Sequence, residues 1–352
     1  MKLAIQQRRR IVWLSFAVAW SAWACPAFAA APESADAGAS AIETQSRALT
    51  RANEATVGLR AKAVDDARSV ATLGPVRSGS GVVIGDDGLV LTIGYLILEA
   101  EQVDLLLEGD RVVPARVVAY DQATGFGLVQ ALVPLKLPVV PLGDASRLST
   151  DDPLMIASGG DDGDVSMARM VARRPFSGNW EYHIDAALFT SPPRTDHSGA
   201  GLFNARGELV GIGSLLVSDT RGEQFPHLPG NMFVPVDLLK PILGELRAEG
   251  LSHMSRRPWM GVNCAEQNGQ VRITRVSEDS PAEVAGLQPG DRIVRIDGAD
   301  VNGLDVLWRT LWRGEVAERE VSVEIKRGDA APQTLKVQAV DRMKTLRHAQ
   351  GI

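Results

Sequence analysis

From residue 45 to about residue 247 the chain advances in short β-type runs, each closed by turn residues, and that rhythm disfavours a helix bundle. Ser78-Gly79-Ser80-Gly81-Val82-Val83-Ile84, the turn Asp86-Asp87-Gly88 and Leu89-Val90-Leu91-Thr92 predict a hairpin, because an Asp-Gly pair tolerates the positive φ of a tight turn. Val103 to Leu107 and Val112 to Ala119 continue the pattern around Gly109-Asp110. A second block begins near Pro138 and includes Leu154 to Ala157, Val165 to Val171, His183 to Leu188 and Glu208 to Leu216. Two such sets predict two barrels or one large sandwich, and 34 Gly with 19 Pro supply the turns. Phe233-Val234-Pro235-Val236 then leads into Asp237, placed to cap a helix through Glu249 that Gly250 stops.

After a short basic linker the pattern changes. Strands are expected at Met260 to Cys264, Gln270 to Val276, Arg292 to Ile296 and Glu320 to Lys326. Between them lie a helix opened by Ser280-Pro281-Ala282-Glu283, the turn Gln288-Pro289-Gly290-Asp291 and a second helix near Leu304 to Trp312. Pro281 suits the first helical position, where its missing N–H is not needed, and Ser280 can cap. With 352 residues the chain exceeds one ordinary core, since single cores stop growing near about 250–300 residues, so two domains are expected.

The first residues have the form of an export leader: Lys2 and Arg8 to Arg10, an apolar stretch Ile11 to Ala24, then small residues at Ala27 and Ala29. Cleavage after Ala29 or Ala31 fits equally, and the apolar stretch is short for a membrane span. Cys25 also allows a lipoprotein reading, although Ala22, Trp23, Ala24 and Pro26 make a poor acylation site. The expected division is 1–29 leader, 30–44 flexible lead-in, 45–250 β-rich domain, 251–258 linker, 259–342 second domain and 343–352 tail. Once the leader is removed Cys264 is the single cysteine, so no intramolecular disulfide can form. A net charge of −6 and the absence of a basic stripe after the leader argue against nucleic acid as a partner.

Several runs carry a family resemblance. Gly79-Ser80-Gly81-Val82-Val83-Ile84, Asp87-Gly88-Leu89-Val90-Leu91-Thr92, Asp185-Ala186-Ala187, Ser198-Gly199, Arg206-Gly207-Glu208-Leu209-Val210-Gly211-Ile212 and Phe233-Val234-Pro235-Val236-Asp237-Leu238-Leu239 occur in the order seen in HtrA/DegP-like periplasmic serine proteases. The resemblance covers residues 45 to 342 and implies a mostly β fold: a chymotrypsin-like double β-barrel followed by a PDZ domain. It places the nucleophile at Ser198, with the oxyanion loop at Asp196 and Ser198. It also exposes departures. Where the family has Thr-Asn-x-His-Val the chain reads Thr92-Ile93-Gly94-Tyr95-Leu96, so Tyr95 stands for the base; a phenol with a pKa of about 10 is a poor base at neutral pH. The acid motif Asp-x-x-Thr-Asp-Leu-Ala matches Asp121-Gln122-Ala123-Thr124-Gly125-Phe126-Gly127, so Gly125 stands for the acid. Asp196 replaces a glycine two residues before the nucleophile, where a carboxylate would oppose a developing oxyanion.

The resemblance therefore implies an exported, non-catalytic pseudoprotease whose PDZ domain binds peptide or protein C-termini, with a role in envelope quality control. The alternative is an active serine endopeptidase using Ser198 with an unconventional base; Lys136 is one candidate. His197 adjoins Ser198, but neighbours on an extended chain face opposite sides. Trp259-Met260-Gly261-Val262 resembles the PDZ carboxylate-binding loop, so Met260, Gly261 and Val262 are expected to meet a peptide end. Trp308 and Trp312 share a helical face, equally suited to packing or to peptide contact. No cofactor, metal or stable membrane anchor is implied, and a homo-oligomer is implied by the family alone.

Overall fold

The computed structural model describes residues 33–347 apart from 161, 162, 223 and 315. The leader at 1–29, and His348, lie outside the described residues. Of the two architectures the strand rhythm allows, the chain takes the barrels. The first closes as β1-β2-β3-β6-β5-β4, from β1 (Thr56–Ala63), β2 (Val76–Val83), β3 (Leu89–Ile93), β4 (Ala100–Leu107), β5 (Arg111–Tyr120) and β6 (Phe126–Ala131). Its core is Leu59, Leu91, Leu105, Phe126 and Leu128, all fully buried. Each such side chain contributes about 1.5–3 kcal/mol by leaving water. Turn chemistry sets the β2–β3 hairpin, where Gly88 takes φ 84°.

The second barrel closes as β10-β11-β12-β9-β8-β7, from β7 (Pro153–Ala157), β8 (Val165–Ser177), β9 (His183–Ser191), β10 (Gly201–Phe203), β11 (Leu209–Val217) and β12 (Gly230–Pro235). Phe189, Leu202 and Phe233 are buried inside it. The C-terminal sheet runs β13-β19-β18-β16-β15-β14, with β17 (Ala299–Asp300) paired to β16. Its strands are β13 (Pro258–Trp259), β14 (Val262–Gln267), β15 (Gln270–Val276), β16 (Arg292–Ile296), β18 (Arg319–Lys326) and β19 (Gln333–Asp341). In that order β14 is an edge strand.

Five α-helices occur among the described residues: α1 (Glu33–Glu54), α2 (Val70–Leu73), α3 (Leu243–Glu249), α4 (Pro281–Val284) and α5 (Leu304–Leu311). The capping expectation at α4 holds, since the Ser280 hydroxyl accepts from Glu283 N–H at 3.2 Å. Two expectations change. The lead-in assigned to 30–44 is helical from Glu33, because its Ala and Glu content favours helix despite a weak apolar period. The helix expected from Asp237 to Glu249 is broken: a 3-10 turn covers Val236–Leu238 and α3 starts only at Leu243. Pro241 explains the break, because it lacks an N–H and disfavours the helical conformation of the residue before it. Asp237 instead accepts the Ala145 N–H at 2.8 Å, while Gly250 ends α3 at φ 75° as its type suggests.

The C-terminal domain is joined to the second barrel by specific bonds. Trp308 is fully buried and its Nε1–H donates to the Gly178 carbonyl at 3.0 Å; Trp312 stacks on it at 6.1 Å and donates to the Pro258 carbonyl. Both tryptophans thus take the packing role of the two left open. Arg309 Nε donates to His183 Nε2 at 3.1 Å, which leaves His183 Nδ1–H facing the Ser177 hydroxyl. Arg347 N–H donates to Glu99, so the start of the C-terminal tail is tied to the first barrel.

Candidate functional site

Ser198 sits between the barrels. Its carbonyl accepts the Ser80 N–H at 2.8 Å, and the next residue must be glycine: Gly199 has φ 75°, and a Cβ there would lie 2.0 Å from the Ser80 oxygen. The turn after β3 carries Tyr95 to the same place. Tyr95 Oη lies 2.8 Å from Ser198 Oγ and 2.9 Å from the Ser214 carbonyl oxygen on β11. A carbonyl only accepts, so with both bonds made the phenol proton goes to Ser214 and the Ser198 hydroxyl donates to the phenol oxygen. Burial pushes the Tyr95 phenol up to about 12, against a smaller opposing pull from the Ser198 hydrogen bond. The phenolate is therefore absent at neutral pH, and a neutral phenol oxygen takes no proton from an alcohol.

The acid position has no side chain and little room for one. Gly125 has φ 81°, and a Cβ built there would be 3.2 Å from Tyr182 Oη and 3.3 Å from its ring. Tyr182 is held there, since its hydroxyl donates to the Thr124 carbonyl at 2.7 Å and it stacks on Trp180. Buried Asp121 fastens the same turn by accepting from the N–H and hydroxyl of Thr124.

The nucleophile loop differs from expectation in one respect. The Asp196 carboxylate does not stand free in the cleft: Arg194, almost buried, forks onto it with Nε at 2.8 Å, and the Ser158 hydroxyl donates to it as well. Burial raises the Asp196 carboxyl, yet the bonds from Arg194 and Ser158 outweigh that and hold it below its ordinary value. The repulsion expected for an oxyanion is thus largely neutralised. His197 Nδ1–H donates to the Arg194 carbonyl at 3.0 Å, and burial lowers its pKa. Lys136 is exposed at a positive φ of 57°, and the Ser198 hydroxyl is bonded to Tyr95.

These distances bear on any attempt to rebuild the triad. The double replacement Tyr95→His with Gly125→Asp is expected to leave casein hydrolysis within about tenfold of the parent. It should also lower stability by about 1–3 kcal/mol, because the new side chain is forced into a left-handed position against Tyr182. A gain of about a thousandfold in a casein assay would show instead that the turn yields.

A second cluster lies at Met260, Gly261 and Val262. Their three N–H groups converge on one carboxylate of the same chain, Glu181: Gly261 N–H donates to Oε1 at 2.7 Å, Val262 N–H at 3.1 Å and Met260 N–H at 3.2 Å. Gly261 has φ 90°, and a Cβ there would sit 2.3 Å from the Ser280 Cβ, so only glycine turns its amide this way. Glu181 is 6% exposed; desolvation pushes its carboxyl up to about 7, against the pull of the three amides and the more distant Arg342. Sequence reasoning missed Glu181, Tyr182 and Arg194. The one local signal for Glu181 and Tyr182 is the run Gly178-Asn179-Trp180-Glu181-Tyr182, a turn followed by an acid between two aromatics.

With the geometry in place, comparison with known proteins is informative. Residues 79–212 match the trypsin-like peptidase domain and residues 258–338 the PDZ domain. Among curated relatives the chain is 25% identical over 269 residues to a "Probable periplasmic serine endoprotease DegP-like" of Hahella chejuensis, covering 72% of this chain and 55% of that one. It is 29% identical to a protein of the same description from Pseudomonas putida, covering 69% and 52%, and 27% identical to the serine endoprotease DegS of Haemophilus influenzae, covering 63% and 65%. The chain spans about half the length of the DegP-like relatives it matches. Its fold is shared with the HtrA-type protease AlgW with decapeptide, at TM-score 0.52 and 19% identity over 86% of this chain and 98% of that one. It is shared as well with a serine endoprotease from Yersinia pestis, at TM-score 0.51 and 22% identity over 84% and 97%. No described helix is long and apolar enough to cross a membrane. Two six-stranded barrels meeting at Ser198, a C-terminal sheet with three convergent amides and the two domain matches identify the chain as a trypsin-like peptidase domain followed by a PDZ domain, an HtrA/DegP-like arrangement.

Proposed function

We propose that this chain is an exported, periplasmic, non-catalytic HtrA-like protein that binds peptide or protein C-termini through its PDZ domain in envelope protein quality control. The observation that carries the non-catalytic part is the Tyr95 phenol, 2.8 Å from Ser198 Oγ where the family has an imidazole. Acyl transfer needs a group that accepts the serine proton and later returns it. A phenol raised to about 12 accepts none, and Gly125 offers no carboxylate to orient a base. The binding part is supported by the three amides of Met260, Gly261 and Val262, an arrangement that suits one carboxylate at the end of an edge strand. The periplasmic location is supported by the description of the DegP-like relatives, and the quality-control role rests on the family resemblance alone.

The test is direct. Loss of a triad base lowers turnover by about a millionfold, so purified protein is expected to degrade casein at background and to take up no fluorophosphonate probe. Robust labelling that disappears in Ser198→Ala would overturn this reading and establish an active endopeptidase.

A further inference from the structure

The three-amide site is filled from within the chain. The tip of the β8–β9 hairpin reaches out of the second barrel and lies along β14. Asn179 carbonyl accepts the Cys264 N–H at 2.6 Å, and Trp180 pairs antiparallel with Asn263. From the other side α5 closes on the same segment, with Trp308 Nε1–H donating to the Gly178 carbonyl. The segment therefore runs between an edge strand and a helix, and it ends with the buried Glu181 carboxylate on three backbone amides. Backbone pairing along the strand plus a carboxylate at its end are the two elements by which an added peptide strand is recognised.

We propose that residues 178–181 are an internal ligand of the PDZ domain, with Asn179 and Trp180 acting as the added strand and the Glu181 carboxylate standing in for a peptide's terminal carboxylate. The inference rests on the peptide-binding reading above and adds that an external ligand must displace this segment. The hairpin tip is built to hold its shape without the groove. Gly178 N–H donates to the Tyr182 carbonyl at 2.9 Å, and Phe176, Trp180 and Tyr182 form one aromatic cluster, with Trp180 and Tyr182 stacked at 5.6 Å. A tethered, preorganised ligand competes at an effective concentration of about millimolar, so a free peptide sees a groove that is mostly closed. Its apparent affinity falls by the fraction of molecules that are open.

The experiment uses the full chain and two labelled decapeptides, one with a free C-terminal carboxylate after an apolar residue and one amidated at that end. Glu181→Ala removes the resident carboxylate. It is expected to bind the free-carboxylate peptide about tenfold to a hundredfold more tightly than wild type, and the amidated peptide not at all. In hydrogen exchange without peptide, the amides of Met260 to Val262 should exchange at least about tenfold faster in the variant. Glu181→Asp, one methylene shorter, should fall between the two. Should the alanine variant fail to fold, a lock carries the test. Trp180→Cys with Asn263→Cys sits at a paired position suited to a disulfide, and its oxidation should weaken peptide binding at least about tenfold and its reduction restore it. Equal peptide affinity in wild type and variant, or an oxidised lock that binds as the reduced form does, would overturn the internal ligand and leave the peptide-binding function standing. Release of the three amides with no binding of either peptide would keep the internal contact and overturn the peptide-binding function instead.

Discussion

Replacing Arg77 by alanine is expected to remove about 3–5 kcal/mol of stability, read as a lowered urea midpoint at unchanged slope. Arg77 is 6% exposed and makes four bonds: to the carbonyls of Gly74 at 3.2 Å, Tyr95 at 3.1 Å and Leu98 at 2.5 Å, and to the Ser69 hydroxyl at 2.7 Å. That hydroxyl in turn donates to the buried Glu99 carboxylate, so one guanidinium links the turn after β3, through Ser69, to a buried acid. Burial lowers the Arg77 pKa against the attraction of Glu99, which marks the site as desolvated. Truncation removes the donor from the buried Leu98 carbonyl and Ser69 hydroxyl and from two part-buried carbonyls, and takes away the charge that attracts Glu99; each unmet buried acceptor costs about 1–3 kcal/mol. Arg77→Lys should recover only part, since a single ammonium cannot fork between Tyr95, Leu98 and Ser69. A loss below about 1 kcal/mol would contradict this account. The consequence reaches the site, because the peptide that Arg77 pins is the one that points Tyr95 at Ser198.

What could be foreseen divides along sequence distance. The β2–β3 hairpin, the Ser280 cap and the Gly250 stop depend on residues within a few positions, so turn and capping chemistry disclosed them. The family resemblance placed Tyr95 opposite Ser198, and the two hydroxyls do meet. Three features were hidden because each joins distant segments. Arg194 neutralises Asp196 from two residues away, but only because Ser158 just after β7 and Ser166 on β8 hold the guanidinium in position. Tyr182 crowds Gly125 from the neighbouring barrel. Glu181 finds its amides 79 to 81 residues along the chain, a pairing that no local period encodes. Pro241 did carry a local signal, and it prevails over the cap at Asp237 and the stop at Gly250 that suggested one unbroken helix.

Glu181 and Tyr182 point in opposite directions from adjacent positions on an extended segment, one into the C-terminal domain and the other against the acid-position turn. Whatever holds or releases residues 178–181 thus also bears on the wall around Gly125. The same two residues explain why the domains meet here and not through the linker alone: Trp308, Arg309 and the three amides all close on one hairpin tip.

Peptide binding by the wild-type chain is expected to strengthen as pH rises from 5 to 7.5, by about threefold to tenfold. In the closed arrangement burial puts the Glu181 carboxyl at about 7, above the 4.5 of the free side chain that an open arrangement would restore. The form with the higher pKa binds the proton more tightly, so protonation favours closing. That stabilisation is fully present below 4.5 and is lost as pH rises through 7. An external peptide's α-carboxyl starts lower, at about 3.5, so burial in the same site offsets only part of the effect. The charged and titratable groups around Glu181 come from several elements. Arg342 after β19 lowers its pKa in part; the Cys264 thiol on β14 is pushed up by burial and stays neutral; and His183 on β9 lies beside Asp185 and Arg309 of α5. Burial lowers the His183 pKa, so its protonation at low pH loosens the same hairpin and opposes the Glu181 trend. Glu181→Ala retains His183 and removes only the carboxyl, so the rise in affinity with pH should be absent from its profile. Parallel pH profiles in wild type and Glu181→Ala would assign the dependence to His183, and a wild-type affinity that falls with rising pH would reverse the sign argued for the buried acid.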